Sequence, residues 1–149
     1  MFSMVIKMNS SNCSQSSSNP IITFKDSGNS QQLIIRNPNL YKVIKTRVDD
    51  CVIVNGPRCD YMMEIVDSRY NGVREYYIEL KGTDLTKALE QILATEKILA
   101  NKQRGGLKKG FIICNRSPES STENQKLKLR ARKKNIELTI KSKKLDYEI

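Results

Sequence analysis

Residues 58–92 read RCDYMMEIVDSRYNGVREYYIELKGTDLTKALEQI and contain the elements that decide the fold. Apolar and aromatic side chains dominate residues 60–66 and 73–81, which is typical of strands. Asn71-Gly72 between them favours a hairpin turn. Residues 85–100 then repeat apolar side chains at helical spacing. The stretch therefore predicts an antiparallel hairpin followed by an amphipathic helix.

The residues that follow predict parallel strands. Residues 109–115 contain an apolar run without alternation, which is typical of a central strand buried on both faces. A helix is expected from the capping box Ser120-x-x-Glu123 to residue 134, and residues 136–140 alternate as a final strand. This order implies right-handed parallel crossovers. The predicted fold is an α/β domain whose mixed β-sheet joins an antiparallel hairpin to parallel crossovers flanked by helices.

The N-terminal part of the chain gives weaker signals. Residues 1–19 include the polar, low-complexity run NSSNCSQSSSN and are expected to form a flexible tail. Residues 20–149 then form a single domain, because the chain is too short for two ordinary ones. Short strands are predicted at 20–24, 33–35, 41–47 and 51–54.

The sequence has no histidine among its 149 residues. This excludes mechanisms that use imidazole as base, acid or metal ligand, including Ser-His-Asp and Cys-His catalysis. The four cysteines form no CxxC pair, so the spacing does not support a zinc site. No apolar run is long enough to span a bilayer or to act as a secretory signal. We therefore expect a cytoplasmic protein with reduced thiols.

The net charge of +10 is unevenly distributed. The first 100 residues carry 12 Lys and Arg against 11 Asp and Glu, whereas the last 49 carry 14 against 5. Such a basic C-terminal third favours a nucleic acid partner over a membrane, although an acidic membrane surface or plain solubility stays open from charge alone. Four cations share a face of the predicted second helix, and two flank the strand before it. The residues expected to contact nucleic acid are Lys109, Arg116, Lys126, Arg130, Lys133 and Lys134.

Three charged side chains are expected at one end of the hairpin. Glu79 and Lys81 share a face of the second strand, since side chains alternate along a strand. A turn centred at residues 69–70 pairs Asp60 with Glu79, whereas a two-residue turn at Asn71-Gly72 shifts the pairing by a few residues. In either register two carboxylates converge and repel unless a cation lies between them, and Mg²⁺ or Mn²⁺ suits oxygen ligands. An ordinary surface ion pair is the alternative.

An Asp at the head of one strand and a Glu-x-Lys at the end of its antiparallel partner, followed by a helix and a buried strand, resemble the core of the PD-(D/E)xK nuclease superfamily. Its members share the restriction-endonuclease-like fold. The resemblance covers residues 41–115, and it extends to residue 141 if the last helix and strand belong to the core. It implies an endonuclease that hydrolyses DNA with Mg²⁺ or Mn²⁺. It implies Asp60, Glu79 and the carbonyl of Leu80 as metal ligands and Lys81 as the residue that orients or deprotonates the attacking water.

The resemblance has a further implication and two departures. It implies Gln91, on the helix after the hairpin, as an additional catalytic-site residue. Cys59-Asp60 replaces the Pro-Asp of the family, and no clear helix before Tyr41 supplies an early acidic residue. Glu64 lies on the same strand face as Asp60 and is a potential substitute.

Three functions stay open at this stage. The first is the nuclease, for which a homodimer is plausible because cutting two strands needs two sites. The second is a non-catalytic nucleic-acid-binding module on the same fold. The third is an interaction or structural subunit of a larger complex, in which the basic helix contacts protein.

Overall fold

The computed structural model describes residues 12–26, 28, 30–67, 72–80, 84–102, 106–116 and 122–149. The strands before the first helix are β1 (Ser14–Ser17), β2 (Ile21–Lys25), β3 (Gln32–Arg36), β4 (Lys42–Arg47), β5 (Tyr61–Asp67) and β6 (Gly72–Glu79). They are followed by α1 (Leu85–Leu99), β7 (Lys108–Cys114), α2 (Thr122–Arg132), β8 (Ile136–Ser142) and β9 (Lys144–Glu148).

The described strands form two sheets. The larger sheet has the order β1-β4-β5-β6-β7-β8, and the smaller one has the order β2-β3-β9. In the larger sheet, β1, β4, β5 and β6 pair antiparallel, whereas β6, β7 and β8 pair parallel. The prediction of a mixed sheet with a hairpin and parallel crossovers is confirmed. The separate small sheet, in which β2 pairs antiparallel and β9 parallel to β3, was not predicted.

The six-stranded sheet is covered on both faces. Tyr77 and Ile112 belong to the cluster of buried side chains that includes the apolar faces of α1 and α2. Tyr76 and Phe111, their neighbours along the strands, belong to a second cluster with β2, β3 and β9. Because successive side chains point to opposite faces, the fold has three layers: helices, large sheet and small sheet. The unbroken apolar run in β7 is explained by this double coverage.

The helix α1 confirms the predicted helix at residues 85–100. Its N-cap is Asp84, whose Oδ1 accepts a hydrogen bond from the N–H of Lys87 at 3.0 Å. Gly110 of β7 leaves room for side chains of β8, since a Cβ there would lie 3.1 Å from Ile136 Cγ2 and 3.3 Å from Leu138 Cδ1. Neither described helix is long and apolar enough to cross a membrane.

The N-terminal segment differs from the predicted flexible tail. Ser14–Ser17 forms β1 and pairs antiparallel with β4, while residues 1–11 lie outside the described part. Cys13 forms a disulfide with Cys51, so the prediction of reduced thiols is wrong for this pair. A run of Ser and Gln carries no apolar signal, yet its backbone N–H and C=O groups extend the hydrogen-bonded ladder of β4.

Other boundaries also differ from the predictions. Residues 51–54 form a loop instead of a strand, in which the N–H of Ile53 donates to the C=O of Val48 at 3.0 Å. The helix α2 ends at Arg132 rather than at residue 134. The strand predicted as the last one is β8, and β9 follows it into the other sheet. The predicted cap of α2, Ser120, lies outside the described residues.

Candidate carboxylate site

The hairpin of β5 and β6 brings Asp60 beside Glu79. Tyr61 pairs with Ile78, and the connection between the strands spans residues 68–71. Of the two registers that the sequence left open, this is the one with the longer turn. Asp60 immediately precedes β5 and Glu79 is the last residue of β6, so both lie at the same end of the hairpin.

Hydrogen bonds hold Asp60 to the residues on either side of Glu79. The N–H of Asp60 donates to the C=O of Ile78 at 3.1 Å. The carboxylate Oδ2 of Asp60 accepts from the N–H of Leu80 at 2.8 Å. The C=O of Asp60 accepts in turn from the N–H of Val48 at 2.9 Å. Both the backbone and the side chain of Asp60 are therefore positioned by hydrogen bonds.

Both carboxylates are buried, with Asp60 5% and Glu79 3% exposed. The pKa of the neighbouring Cys59 thiol is raised to about 12, mainly by burial and in smaller part by the negative charges of Glu79 and Asp60. Two carboxylates buried close together would repel each other unless hydrogen bonds or a positive charge compensate them.

The helix α1 contacts the residue before Asp60. The hydroxyl of Thr95, which is fully buried, accepts a hydrogen bond from the N–H of Cys59 at 2.8 Å and donates to the C=O of Gln91 at 2.8 Å. Gln91 is half-buried one turn before Thr95, on the flank of α1 that approaches Cys59. Sequence reasoning missed Thr95, although a single hydroxyl within the apolar stripe of the helix was a usable signal.

The two carboxylates would offer oxygen ligands, the kind of ligand that a hard divalent cation such as Mg²⁺ prefers. Within the residues that the structure describes, no group of three or more Asp, Glu, Cys or His is arranged to hold a metal. A pair of carboxylates suits Mg²⁺, which usually keeps several waters. The predicted third charged residue, Lys81, lies outside the described residues.

Glu64 lies too far along β5 to join Asp60. It is four residues away, which corresponds to about 13 Å along a strand, and it pairs with Glu75 of β6. Glu75 is buried and accepts hydrogen bonds from the Tyr77 hydroxyl at 2.7 Å and from the N–H of Asn101 at 3.2 Å. Glu64 therefore neighbours a different buried acid, away from the candidate site.

Five of the six cations predicted to contact nucleic acid are exposed. Lys126 and Arg130 lie on α2, and Lys133 and Lys134 lie in the turn after it. Arg130 also approaches Glu90 of α1, with 3.7 Å between Nη1 and Oε1. Because α2 returns toward the start of β8, the two lysines of the turn lie near the starts of the parallel strands. Glu79 lies at their opposite ends.

Arg116 lies at the same end of the strands as the carboxylates. The strands β6 and β7 are parallel, and Glu79 pairs with Ile112 of β7. Arg116 is exposed four residues further along the chain, beyond the end of β7. The backbone therefore places Arg116 near the strand end that carries Glu79.

The sixth cation, Lys109, is separated from the others. Its Nζ lies 2.7 Å from Glu137 Oε1 and 5.5 Å from the centre of the Tyr147 ring in β9. The side chain thus faces the small sheet, whereas α2 covers the opposite face of the large sheet. The sequence predicted one basic surface from Lys109 to α2, and the alternation of side chains along β7 divides it.

Comparison of the chain with protein-family models, curated proteins and solved structures found no match in any of the three. In its described residues, the protein is a mixed α/β protein with two sheets and two helices. Its candidate site is a pair of buried carboxylates at the end of a β-hairpin.

Proposed function

We propose that this protein is a metal-dependent endonuclease that hydrolyses phosphodiester bonds in DNA, with Asp60 and Glu79 as ligands of Mg²⁺ or Mn²⁺. The observation that carries the proposal is the pair of hydrogen bonds that tie Asp60 to the residues before and after Glu79. Burying two carboxylates at one place is unfavourable unless hydrogen bonds and a positive charge compensate them. A cation bound between Asp60 and Glu79 would supply such a positive charge.

The order of the elements supports the same proposal. The hairpin of β5 and β6, the helix α1 and the buried parallel strand β7 follow each other as in the core of the PD-(D/E)xK superfamily. We therefore propose that the large sheet with its two helices is a restriction-endonuclease-like fold. The small sheet would be an addition on the face opposite to the helices.

Each residue of the site has a proposed role. Asp60 and Glu79 would hold the cation with carboxylate oxygens, and the carbonyl of Leu80 would add a further ligand. The cation, when bound, would polarise the phosphate and lower the pKa of a bound water. Lys81 would orient that water or help to deprotonate it. Gln91 would supply a polar group from the flank of α1.

Cysteine-based catalysis is disfavoured at this site. The raised pKa of Cys59, about 12, keeps its thiol protonated at neutral pH, and a protonated, buried thiol is a poor nucleophile. The neighbouring carboxylates increase this effect instead of activating the sulfur.

Exposed cations near the site would bind the DNA backbone. Arg116 lies near the end of the strands that carries Glu79, and Lys126 lies in the half of α2 nearer to that end. Such side chains contact phosphates without reading bases. We therefore propose weak sequence preference and binding that decreases steeply with salt.

Cleavage of plasmid and single-stranded DNA tests the proposal. The wild type should cut with Mg²⁺ or Mn²⁺ and not with EDTA, and Glu79→Gln and Lys81→Ala should abolish cutting while DNA binding remains. Glu64→Gln is the matched control, because it removes a charge from β5 away from the site. Binding of Mn²⁺, measured by electron paramagnetic resonance, should be lost in Glu79→Gln. Cutting in EDTA, or normal cutting by Glu79→Gln, would contradict the proposal.

The exposed lysines in the turn after α2 favour a second candidate function. Lys133 and Lys134 lie near the starts of the parallel strands, and the carboxylates lie at the opposite ends. Part of the basic surface is therefore remote from the candidate site. A non-catalytic nucleic-acid-binding module would use this surface alone. DNA binding without cleavage under every metal condition, unaffected by Glu79→Gln, would favour this function.

A further inference from the structure

The strand β8 is the last strand of the large sheet and pairs only with β7 among the described strands. The C=O of Asn135 and the N–H of Lys143, which flank β8, bond to β7 at 2.9 Å and 2.8 Å. Backbone N–H and C=O groups point to alternate sides along a strand, so those of the odd-numbered residues of β8 point toward β7. Leu138 and Ile140 therefore point their N–H and C=O groups to the open edge. An open edge of this kind is a template for a further strand.

The sequence of β8, IELTIKS, is complementary to itself about Thr139. In an antiparallel pair of two copies centred there, Glu137 faces Lys141 of the second copy, and Leu138 faces Ile140 of the second copy. Each pair occurs twice because the arrangement is symmetric. Opposite charges and apolar side chains directly across antiparallel strands stabilise the pairing.

Other registers are less favourable. Matching the outward backbone groups requires that the symmetry axis pass through a residue of β8, not between two residues. An axis at Leu138 places Glu137 opposite Thr139 of the second copy. An axis at Ile140 places Lys141 opposite Thr139 of the second copy. Only the axis at Thr139 brings the acidic and basic side chains of β8 together.

An exposed apolar groove lies beside this edge. Leu129 of α2 is 66% exposed, and together with Ile136 and Leu138 it forms the apolar part of the groove. Lys128 and Arg132 lie at its rim. The two-fold axis at Thr139 would place this groove next to its own copy on the same face of the joined sheet. The exposed Leu129 would then gain an apolar neighbour.

We propose that this protein forms a homodimer in which β8 pairs antiparallel with β8 of a second copy about Thr139. The large sheets of the two copies then form one continuous sheet, with both α2 helices on the same face. This inference does not depend on the proposed nuclease activity.

A crosslink at the symmetry axis tests the register directly. Thr139 would face its own copy in a non-hydrogen-bonded pair, where the Cα atoms are about 4.5 Å apart. That separation allows a disulfide. Thr139→Cys should therefore give a covalent dimer under mild oxidation, whereas Lys141→Cys, whose copies would be several residues apart, should not. Failure of Thr139→Cys to crosslink, or equal crosslinking of both variants, would overturn the proposal.

Sedimentation equilibrium of the full chain tests the charge pairing. The wild type should show a concentration-dependent dimer, and Lys141→Glu should weaken it by about tenfold or more, since two pairs of like charges then face each other. Lys42→Glu, an equal charge change on β4, should leave the dimer unchanged. A monomeric wild type, or a dimer insensitive to Lys141→Glu, would overturn the proposal.

Mixing two variants adds a check that does not depend on the folding of either one alone. Glu137→Lys places like charges across the interface and removes the contact with Lys109, so its fold is verified by circular dichroism. An equimolar mixture of Glu137→Lys and Lys141→Glu should form a heterodimer with opposite charges paired at every position. Absence of this heterodimer from two folded variants would overturn the register.

Discussion

The carboxylate of Asp60 accepts a hydrogen bond from the backbone N–H of Leu80 at 2.8 Å, across a separation of 20 residues in the chain. Leu80 follows Glu79, so this bond ties one buried acid to the strand end that carries the other. The side chain of Asp60 thereby has a structural role as well as the proposed role in binding a cation. The two roles are separable by substitution.

Substitution of Asp60 by Asn or Ala distinguishes these roles. Asn keeps an oxygen acceptor for the N–H of Leu80, whereas Ala leaves that buried N–H without its partner. We expect Asp60→Ala to lower the free energy of unfolding by about 1–3 kcal/mol and Asp60→Asn by less. Both variants should lose metal-dependent cleavage. Urea unfolding and plasmid cleavage measure the two effects, and wild-type cleavage by Asp60→Asn would refute the metal role.

The disulfide between Cys13 and Cys51 should contribute to stability. It closes a loop with a sequence separation of 38 and holds β1 at the edge of the large sheet. Replacing both residues by Ser should lower the free energy of unfolding by roughly 2–4 kcal/mol. Hydrogen exchange should also show reduced protection in β1. A reductant should lower the stability of the wild type and leave the double variant unchanged; equal stability of the wild type with and without reductant would argue against this contribution.

The thiol of Cys59 should make the protein less stable in alkaline solution. Burial raises its pKa from 9.0 to about 12 in the folded chain. Between these pH values the unfolded chain releases a proton that the folded chain retains, so the free energy of unfolding falls as pH rises above 9. Cys59→Ala should reduce this loss, as measured by urea unfolding at pH 8 and pH 10.

Alkylation provides a second measurement on Cys59. In the native protein at pH 8, iodoacetamide should leave Cys59 unmodified, because the thiol is buried and protonated. In urea the same residue should react readily, which serves as the control. Rapid modification of Cys59 in the folded protein, detected by mass spectrometry, would contradict this assignment.

The cations of α2 should determine the salt dependence of DNA binding. Lys126→Ala and Arg130→Ala should each weaken binding to all sequences alike and reduce the slope of log affinity against log salt by about 1. The effect of Arg130→Ala should be the smaller one, because Glu90 already lies near that guanidinium. Lys42→Ala on β4 is the matched control. Unchanged slopes for both α2 variants would place the DNA elsewhere.

Much of the local structure could be predicted from residue patterns. The stripe of Leu85, Ala88, Leu89 and Ile92 predicted α1, and the apolar run in β7 predicted a strand covered on both faces. Both patterns are formed by residues that lie close together in the chain, so they can be recognised without knowing the tertiary structure. The prediction of a strand at residues 51–54 was wrong, because its apolar side chains Val52 and Ile53 are buried from a loop, in the cluster that includes the apolar faces of the helices.

The candidate site required more than local patterns. The sequence placed Asp60 and Glu79 at one end of a hairpin but allowed two registers, and pairing of Tyr61 with Ile78 selected one of them. The roles of Thr95 and Leu80 in holding the site became visible only with α1 and β6 in place. A hydrogen bond between residues far apart in the chain depends on their relative placement, which no local pattern encodes.

The sequence by itself determined that this protein cannot use imidazole chemistry, that its C-terminal third is strongly basic, and that α1 and β7 form. Composition and short-range periodicity are sufficient for these conclusions. Only the tertiary structure decided that a serine-rich segment is a strand, that Cys13 bonds Cys51, and that Lys109 faces away from α2. Each of these depends on which distant backbone segments lie side by side, and that is decided by the packing of the whole chain.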